Sequence, residues 1–350
     1  MQQDTLSSRE RISYPNFAGS HQTTVSLQHP GTVTISSAEM SVSHPGFVSA
    51  SSLMRGTKDT ADFSFGEEVE TADGFCLRKE TVFHLMSRPS VDEDTVRCRL
   101  AEDLTLVPGI GKVREADLKR RGFENLRDLE RTRFKNAAED VADIIEYGTV
   151  KEILNLYSDL KRNSEPLLLG LLGDTTAHLY FDIETLGMAH APIILFGIGE
   201  IEHGTVRVTQ YLLRDIDEEL PALMLTKEHF KKSSAVISYN GRCFDIPYLN
   251  NRLAFYGERE VRFNVHADLL HPTRRLFRDE FPDCRLETVE EYIPTFARGE
   301  DVPGYLVPVY YQNYLRSKNI RTLRPVVEHN TLDVANLACL LNYETELLYG

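Results

Sequence analysis

The hydrophobic pattern divides the chain into a polar N-terminal stretch followed by segments with regular spacing. Residues 1–60 are polar, rich in Ser and Thr, and have no helical or strand period, so we predict a disordered tail. In residues 61–100, short apolar runs flank a turn that ends at Gly74, which is typical of a small β-hairpin. Residues 101–165 show helical spacing, which predicts two short helices about a Gly-Ile-Gly turn, a longer helix over about 135–160, and a linker.

A different pattern begins near residue 177 and predicts a separate domain over residues 175–350. Five apolar strands are predicted, at about 179–183, 193–201, 206–213, 235–239 and 261–267. Amphipathic helices are predicted between and after the later strands. Three strands in succession, followed by alternating helix and strand, predict an α/β fold with one mixed sheet flanked by helices.

Composition narrows the choice of protein class without settling the function. The 350 residues are 41% hydrophobic, which is enough for a core, and the net charge of −14 argues against a general nucleic-acid coat. Carboxylates that bind divalent cations would add negative charge, so enzymes and non-enzymes both stay open. The five cysteines form no CxxC pair, and the chain has neither a membrane-length apolar run nor a signal pattern. We therefore predict a cytoplasmic protein with reduced thiols and no membrane partner.

Two carboxylates stand at alternate positions of the first predicted strand of this domain. Asp182 and Glu184 should project from one face of the strand, while Ile183 points to the other. Two neighbouring carboxylates repel each other, and a metal cation offsets that repulsion. The alternative is a strand end with ordinary surface acids.

Two later positions offer further candidate ligands. Asp245 follows an apolar strand and an Asn-Gly turn, where it could be a helix cap or a carboxylate at the carboxyl end of a strand. His329 and Asp333 are four residues apart at the start of the last predicted helix, so they should share one helical face. Asp245 alone, and the pair of His329 and Asp333 alone, are each also compatible with a structural role.

The order DxE, NGxxFD and HxxxD resembles the motif set of DEDD-type 3′→5′ exonucleases. The chain from about 179 to 341 resembles the YprB-like ribonuclease H-like family more closely. This resemblance also includes the segments 268–275, 284–290 and 301–304. It implies a ribonuclease H-like fold with a five-stranded mixed sheet that carries the acids.

The resemblance also implies residue roles and a cofactor. Asp182, Glu184, Asp245 and Asp333 would be ligands of two divalent ions, and His329 would be the general base. Hard oxygen ligands suit Mg²⁺ or Mn²⁺. The chain departs from the family pattern at one point, because the histidine branch usually has HxxxxD, whereas this chain has histidine at the YxxxD spacing.

Two groups of residues are candidates for binding the nucleic-acid backbone. Residues 106–123 resemble a helix-hairpin-helix module, in which glycines and helix N–H groups contact phosphate. Its candidate residues are Gly109, Gly111, Lys112 and Arg114. Asn240, Arg274 and Arg275, with nearby arginines, would contact the substrate beside the nuclease motifs. The alternatives are a helical hairpin used for packing and a solvated helix face.

These observations predict a metal-dependent nuclease that hydrolyses DNA or RNA, with 3′→5′ polarity implied by the resemblance. One alternative is a non-catalytic nucleic-acid-binding or repair-accessory protein with an inherited nuclease fold. Another is a structure-specific endonuclease with the same metal centre.

Overall fold

A computed structural model gives the structure of the protein. It describes residues 63–85, 91–159, 177–187, 190–298 and 302–349. The predicted tail at 1–60, the predicted linker and Asp301 of the 301–304 motif lie outside the described residues.

One mixed sheet organises the described part of the chain. Its strands are β1 (Glu67–Thr71), β2 (Gly74–His84), β3 (His178–Thr185), β4 (Ile193–Glu202), β5 (Thr205–Leu212), β6 (Ala235–Ser238) and β7 (Val265–Asp268). Their order across the sheet is β1-β2-β5-β4-β3-β6-β7. Across the sheet, the neighbouring strands in the run β1-β2-β5-β4-β3 pair antiparallel. Strand β6 pairs parallel with both β3 and β7.

The sheet has seven strands, so the prediction of five is wrong. The five predicted strands are present as β3 to β7, but the N-terminal hairpin extends the same sheet instead of standing apart. Strand β2 pairs with the edge of β5 in a register that runs from Leu77 opposite Leu212 to His84 opposite Thr205. This pairing satisfies the backbone groups of β5, which would otherwise form an exposed edge.

Ten helices are described. They are α1 (Glu93–Ala101), α2 (Lys112–Arg120), α3 (Lys135–Tyr147), α4 (Val150–Asp159), α5 (Glu219–Lys232), α6 (Asp245–Phe255), α7 (Leu270–Phe277), α8 (Leu286–Tyr292), α9 (Val307–Ser317) and α10 (Arg324–Tyr349). Short 3₁₀ turns lie between several of them.

The helix predicted over 135–160 is two helices, α3 and α4. Gly148 ends α3 with an extended backbone, and a Cβ at this glycine would lie 2.4 Å from the carbonyl oxygen of Ile144. Thr149 then starts α4, because its hydroxyl accepts from the backbone N–H of Glu152 while the Glu152 carboxylate accepts from Thr149. The apolar spacing continues across this break, which explains why the pattern predicted one helix.

The two faces of the sheet are covered by different helices. Alternate residues of β3, such as Phe181 and Ile183, pack in a cluster with residues of α5 and α6. Tyr180 faces the other side and belongs to a cluster with Val334 and Leu337 of α10. Asp182 and Glu184 have the same alternation as Tyr180, so β3 presents both acids to the side that α10 covers.

The helical segment, which contains α1 to α4, shares a hydrophobic core with the α10 side of the sheet. Leu100, Ile110 and Leu118 belong to the same buried cluster as Val208 and Leu337. The domain boundaries at 60, 100, 165 and 175 stay predictions.

Candidate metal centre

Strand β3 carries the first two predicted ligands, Asp182 and Glu184, on the sheet face that α10 covers. Asp182 is half-buried and Glu184 is buried, with 8% of its surface accessible. The residue paired with Asp182 on β4 is Gly197, which has no side chain to cover the carboxylate. The face of the strand that the alternation predicted for both acids is therefore the face that meets α10.

Asp245 is the first residue of α6 and lies against β3. Its buried carboxylate accepts a hydrogen bond from the backbone N–H of Ile183, with 3.1 Å between Oδ1 and N. The residue at the cap position is Phe244, so the interpretation of Asp245 as the helix cap is wrong. Asp245 is instead tied to the strand that carries Asp182 and Glu184.

His329 and Asp333 lie in the second and third turns of α10 on one face of the helix, as their spacing predicts. The helix begins at Arg324, so this pair does not open it. His329 Nε2 lies 3.3 Å from Asp333 Oδ2 and 3.7 Å from Glu184 Oε1. One possible ligand atom from each of Glu184, His329 and Asp333 lies within 4.8 Å of the other two, and these three residues therefore form a candidate metal site.

The carboxylates of this region destabilise one another's charged forms. Burial raises the pKa of Asp182 well above its usual value, and the charges of Asp245, Asp333 and Glu184 raise it further. Burial is also the main cause that raises the pKa of Asp245 to about 7. Asp182 and Asp245 are therefore in electrostatic contact with the site formed by Glu184, His329 and Asp333, and a cation at that site would offset these repulsions.

An arginine that the sequence did not indicate reaches the same site. Arg298 hydrogen-bonds Asp333, and its Nη1 lies 3.2 Å from Nδ1 of His329. The same guanidinium pairs with the carboxylate of Glu290, with 2.9 Å between Nη2 and Oε1. Glu290 ends the 284–290 segment, but neither its spacing from Arg298 nor any periodicity predicts this contact.

A network of neutral side chains holds Asp182, and this network was not predicted either. Asn330 Nδ2 donates to Asp182 Oδ2 at 2.8 Å. Gln210 Nε2 donates to Asn330 Oδ1 at 2.7 Å, and Thr331 Oγ1 donates to Gln210 Oε1 at 2.8 Å. Since Gln210 contacts the Asn330 oxygen, the amide nitrogen of Asn330 must face Asp182.

The predicted helix-hairpin-helix residues lie in an exposed turn of the helical segment. Gly109 has φ +86°, which favours glycine, whereas Gly111 is the N-cap of α2 with an ordinary extended φ of −100°. The backbone of this turn therefore requires glycine at position 109 and not at position 111. Lys112 and Arg114 are exposed, and Arg114 donates to the carbonyl of Gly109. Nucleic-acid binding by this turn stays a prediction.

The second predicted basic group lines a cavity of about 610 Å³. Its lining residues are Arg274, Arg275, Arg278, Asp283, Cys284 and Arg285. The structure thus brings Arg274 and Arg275 together with two further arginines. Asn240 is exposed in a left-handed conformation with φ +61°, and its backbone N–H donates to Asp268 Oδ1 at 2.7 Å.

Comparison with known proteins supports the family resemblance over the second half of the chain. Residues 179–344 match the RNase_H superfamily. The uncharacterized protein YprB of Bacillus subtilis (strain 168) is 32% identical over 166 residues, which are 46% of this chain and 40% of that protein. The family B DNA polymerase from the hyperthermophilic archaeon Pyrobaculum calidifontis is 19% identical, with a TM-score of 0.38, over 48% of this chain and 24% of the polymerase chain.

Residues 179–344 therefore form a ribonuclease H-like domain, and the predicted resemblance to YprB is confirmed for that segment. The matches cover well under two thirds of either relative's own length. Members of the superfamily are generally nucleases that use divalent metal ions, so the fold is of a nuclease type. Within the described residues, no helix is long and apolar enough to cross a membrane.

Proposed function

We propose that the protein hydrolyses phosphodiester bonds of nucleic acid with two divalent metal ions and removes nucleotides from a 3′ end. The observation that carries the proposal is the convergence of Glu184, His329 and Asp333 on one point of a ribonuclease H-like domain. Asp182 and Asp245 complete the proposed ligand set, because their charges act on the same point.

The donor atoms of the cluster fit Mg²⁺ or Mn²⁺. Four of the five groups are carboxylates, which are the hard oxygen ligands that these ions prefer. Burial and the neighbouring acids raise the pKa values of Asp182 and Asp245, and a bound cation would offset both causes. When bound, such ions activate water and stabilise the charge that develops on the phosphate and the leaving oxygen.

The protein side chains then supply a proton acceptor and a cation. His329 is proposed as the base, and Nε2 is its nitrogen on the side of Glu184 and Asp333. In the arrangement with Arg298 beside Nδ1, the guanidinium can only donate, so Nδ1 accepts and the proton of a neutral ring lies on Nε2. Base action by His329 at Nε2 therefore requires Arg298 to move away from Nδ1.

Arg298 has a partner that does not depend on the metal ligands. Its pairing with Glu290 keeps the guanidinium at the entrance of the cluster even when Asp333 binds an ion instead. There it can contact a non-bridging oxygen of the substrate phosphate. Arg274 and Arg275, and the turn with Gly109, Gly111, Lys112 and Arg114, are proposed as additional backbone contacts.

The deciding experiment uses 5′-end-labelled DNA and RNA strands with Mg²⁺, Mn²⁺ or EDTA, resolved to single nucleotides. A ladder that shortens from the 3′ end with metal, and not with EDTA or in Asp182→Ala, is expected. Strands with blocked 3′ ends should resist. Cleavage of blocked strands would identify an endonuclease instead, and strand binding without cleavage under any metal would identify a non-catalytic binding protein.

A further inference from the structure

A groove opens beside the candidate metal centre, between the N-terminal hairpin and the start of α10. We call it the hairpin groove. Its volume is about 600 Å³, in the range of sites that hold small molecules. Its lining includes Phe63, Lys79 and Phe83 on the hairpin side, Arg324 and Glu328 of α10, and Arg298 and His329. Since His329 and Arg298 also belong to the metal centre, the groove leads directly to it.

Two cations are arranged around one aromatic ring in this groove. Lys79 Nζ lies 5.4 Å from the ring centroid of Phe63, and the Arg324 guanidinium carbon lies 4.8 Å from the same centroid. Both distances are within the range of cation–π attraction. Phe63 therefore positions a lysine from β2 and an arginine from α10 towards one space.

Between the hairpin and the start of α10, the groove carries two cations and one carboxylate. Lys79 and Arg324 line it together with Glu328, whereas the third cation, Arg298, is already paired with Glu290 and Asp333. Glu328 is held by Arg324, with 2.8 Å between Oε1 and Nε. In a chain with a net charge of −14, two cations beside one carboxylate favour an anionic ligand at this place.

The position of Lys79 supports the same conclusion. Burial lowers the pKa of Lys79, which means that its charged form is poorly solvated where it stands. Its ammonium donates to Thr81 Oγ1 at 2.6 Å, a neutral partner. An anionic ligand in the groove would stabilise this charge.

We propose that the hairpin groove binds a single-stranded polynucleotide and directs its end to the metal centre. This inference rests on the proposed function, because it assigns the substrate of that same site. Phosphates lie against Lys79 and Arg324, and an unpaired base stacks on the exposed guanidinium plane of Arg324 or on the ring of Phe83. Such stacking is open to the bases of single strands and closed to those of a duplex.

The hairpin side of the groove lies outside the ribonuclease H-like segment. Phe63, Lys79 and Phe83 all lie outside the 179–344 segment that matches the superfamily. The pairing of β2 with β5 is what carries this wall to the metal centre. The extra strands thus give the nuclease-type fold a substrate-binding surface.

Binding measured in EDTA tests the groove separately from cleavage. The probes are fluorescent 12-nucleotide single strands of DNA and of RNA, and a blunt DNA duplex of the same length. The variants are Lys79→Gln, Arg324→Gln, their double, and Phe63→Leu. Lys231→Gln is the matched control, because Lys231 is an exposed cation on α5 that does not line the groove.

Single strands should bind more tightly than the duplex. The double variant should bind them about tenfold more weakly at low salt, and its slope of log affinity against log salt should fall by about 1.4, since each lost phosphate contact on a single strand removes about 0.7. Phe63→Leu should weaken binding through its effect on both cations, and Lys231→Gln should match the wild type. Glu328→Gln should bind single strands severalfold more tightly, which a purely structural role of this residue does not predict.

Equal binding by the wild type and the double variant, or tighter binding of the duplex, would overturn the groove proposal. If those results came with metal-dependent cleavage, the proposed function would stand and the groove would fail. If the groove variants lost binding but the wild type cleaved nothing, the groove would stand as a binding site and the proposed function would fail.

Discussion

At the scale of single residues, the carboxylates of Asp182 and Asp333 are proposed metal ligands, and their mutual repulsion lowers the stability of the fold. Both are close to other acids, and burial disfavours the charge of Asp182. Asp182→Ala or Asp333→Ala should therefore leave the fold intact and lower the cleavage rate by ~100-fold or more, as loss of a charge-stabilising group commonly does. Cleavage kinetics with Mg²⁺ and Mn²⁺, together with thermal melts, measure the two effects.

Asp217→Ala is the matched control, because Asp217 is an exposed acid in a short 3₁₀ turn. It should cleave at the wild-type rate. Wild-type cleavage by Asp182→Ala or Asp333→Ala would show that the active site has been assigned to the wrong residues.

His329 has two possible roles that a substitution can separate. As the base, its loss in His329→Asn should lower the rate by ~10²–10⁴-fold and leave metal affinity unchanged. As a ligand, which its position among Glu184 and Asp333 also allows, its loss should weaken metal binding measured by calorimetry. His329→Tyr should retain part of the activity with a shifted pH profile, because the spacing matches the tyrosine branch. A rate and profile unchanged in His329→Asn would leave His329 with neither role.

The proximity of the two members of each ligand pair could be predicted, because it follows from local periodicity, whereas the approach of one pair to the other was implied only by the family resemblance. Asp182 and Glu184 share a strand face, and His329 and Asp333 share a helix face. The contacts of Arg298, Asn330 and Gln210 could not be predicted, because they join side chains through tertiary packing. Gln210 and Asn330 are 120 residues apart, and nothing in the local sequence of either indicates the other.

At the scale of elements, the approach of α10 to β4 decides where Asp182 is held. A Cβ at Gly197 would lie 2.4 Å from Asn330 Oδ1 and 2.7 Å from a methyl carbon of Val334. Gly197→Ala should therefore push Asn330 away from Asp182, lower the melting temperature, and reduce cleavage even where the protein stays folded. Thermal melts and cleavage rates measured well below the melting temperature distinguish the two effects.

Gly304→Ala is the control for this substitution, because a Cβ there meets no atom within 4 Å. It should melt and cleave like the wild type. If Gly197→Ala also did so, the close packing of α10 on β4 would not position Asn330.

In the turn before α2, two substitutions test the stability of the turn and its proposed binding of phosphate separately. Gly109 has a positive φ, so Gly109→Val should destabilise the turn. Gly111→Ala should lower stability much less than Gly109→Val, because its φ is ordinary and a Cβ meets nothing within 4 Å, which leaves only the weaker preference for alanine at an N-cap. If a phosphate approaches the N-terminus of α2, the added methyl should weaken binding of long substrates and have little effect on very short ones. Unchanged binding of long strands by Gly111→Ala would favour the packing hairpin.

The elements themselves could be predicted more fully than their pairing. The five strands from β3 to β7 were predicted near their observed positions, because each has a clear apolar run between turns. The attachment of the hairpin was missed, because the register of β2 joins residues more than a hundred positions away on β5. That one pairing changes the sheet from five strands to seven and builds the hairpin groove.

At the scale of the whole molecule, the carboxylates of the candidate metal centre make folding stability depend on pH. Asp182 and Asp245 have raised pKa values in the folded state, whereas a carboxyl group of an unfolded chain titrates near 4. The folded protein therefore binds more protons than the unfolded chain between about pH 4 and pH 7. The stability that Asp245 contributes is fully present below about pH 4 and is lost as the pH rises through about 7. The raised pKa of Asp182 acts in the same direction.

The metal-free protein in EDTA should thus lose stability relative to Asp245→Asn as the pH is raised from 5 to 8. The asparagine does not titrate, and its oxygen can still accept from the N–H of Ile183. Mg²⁺ added at pH 8 should stabilise the wild type and close the gap. Glu344→Gln is the matched control, because burial also raises the pKa of Glu344 but this residue contacts Thr273 rather than the candidate metal centre. Its gap from the wild type should widen with pH in the same way and should not close with Mg²⁺. Melting temperatures across this pH range measure both differences. If the difference in melting temperature between the wild type and Asp245→Asn changed with neither pH nor Mg²⁺, the assignment of Asp245 to a metal site would be contradicted.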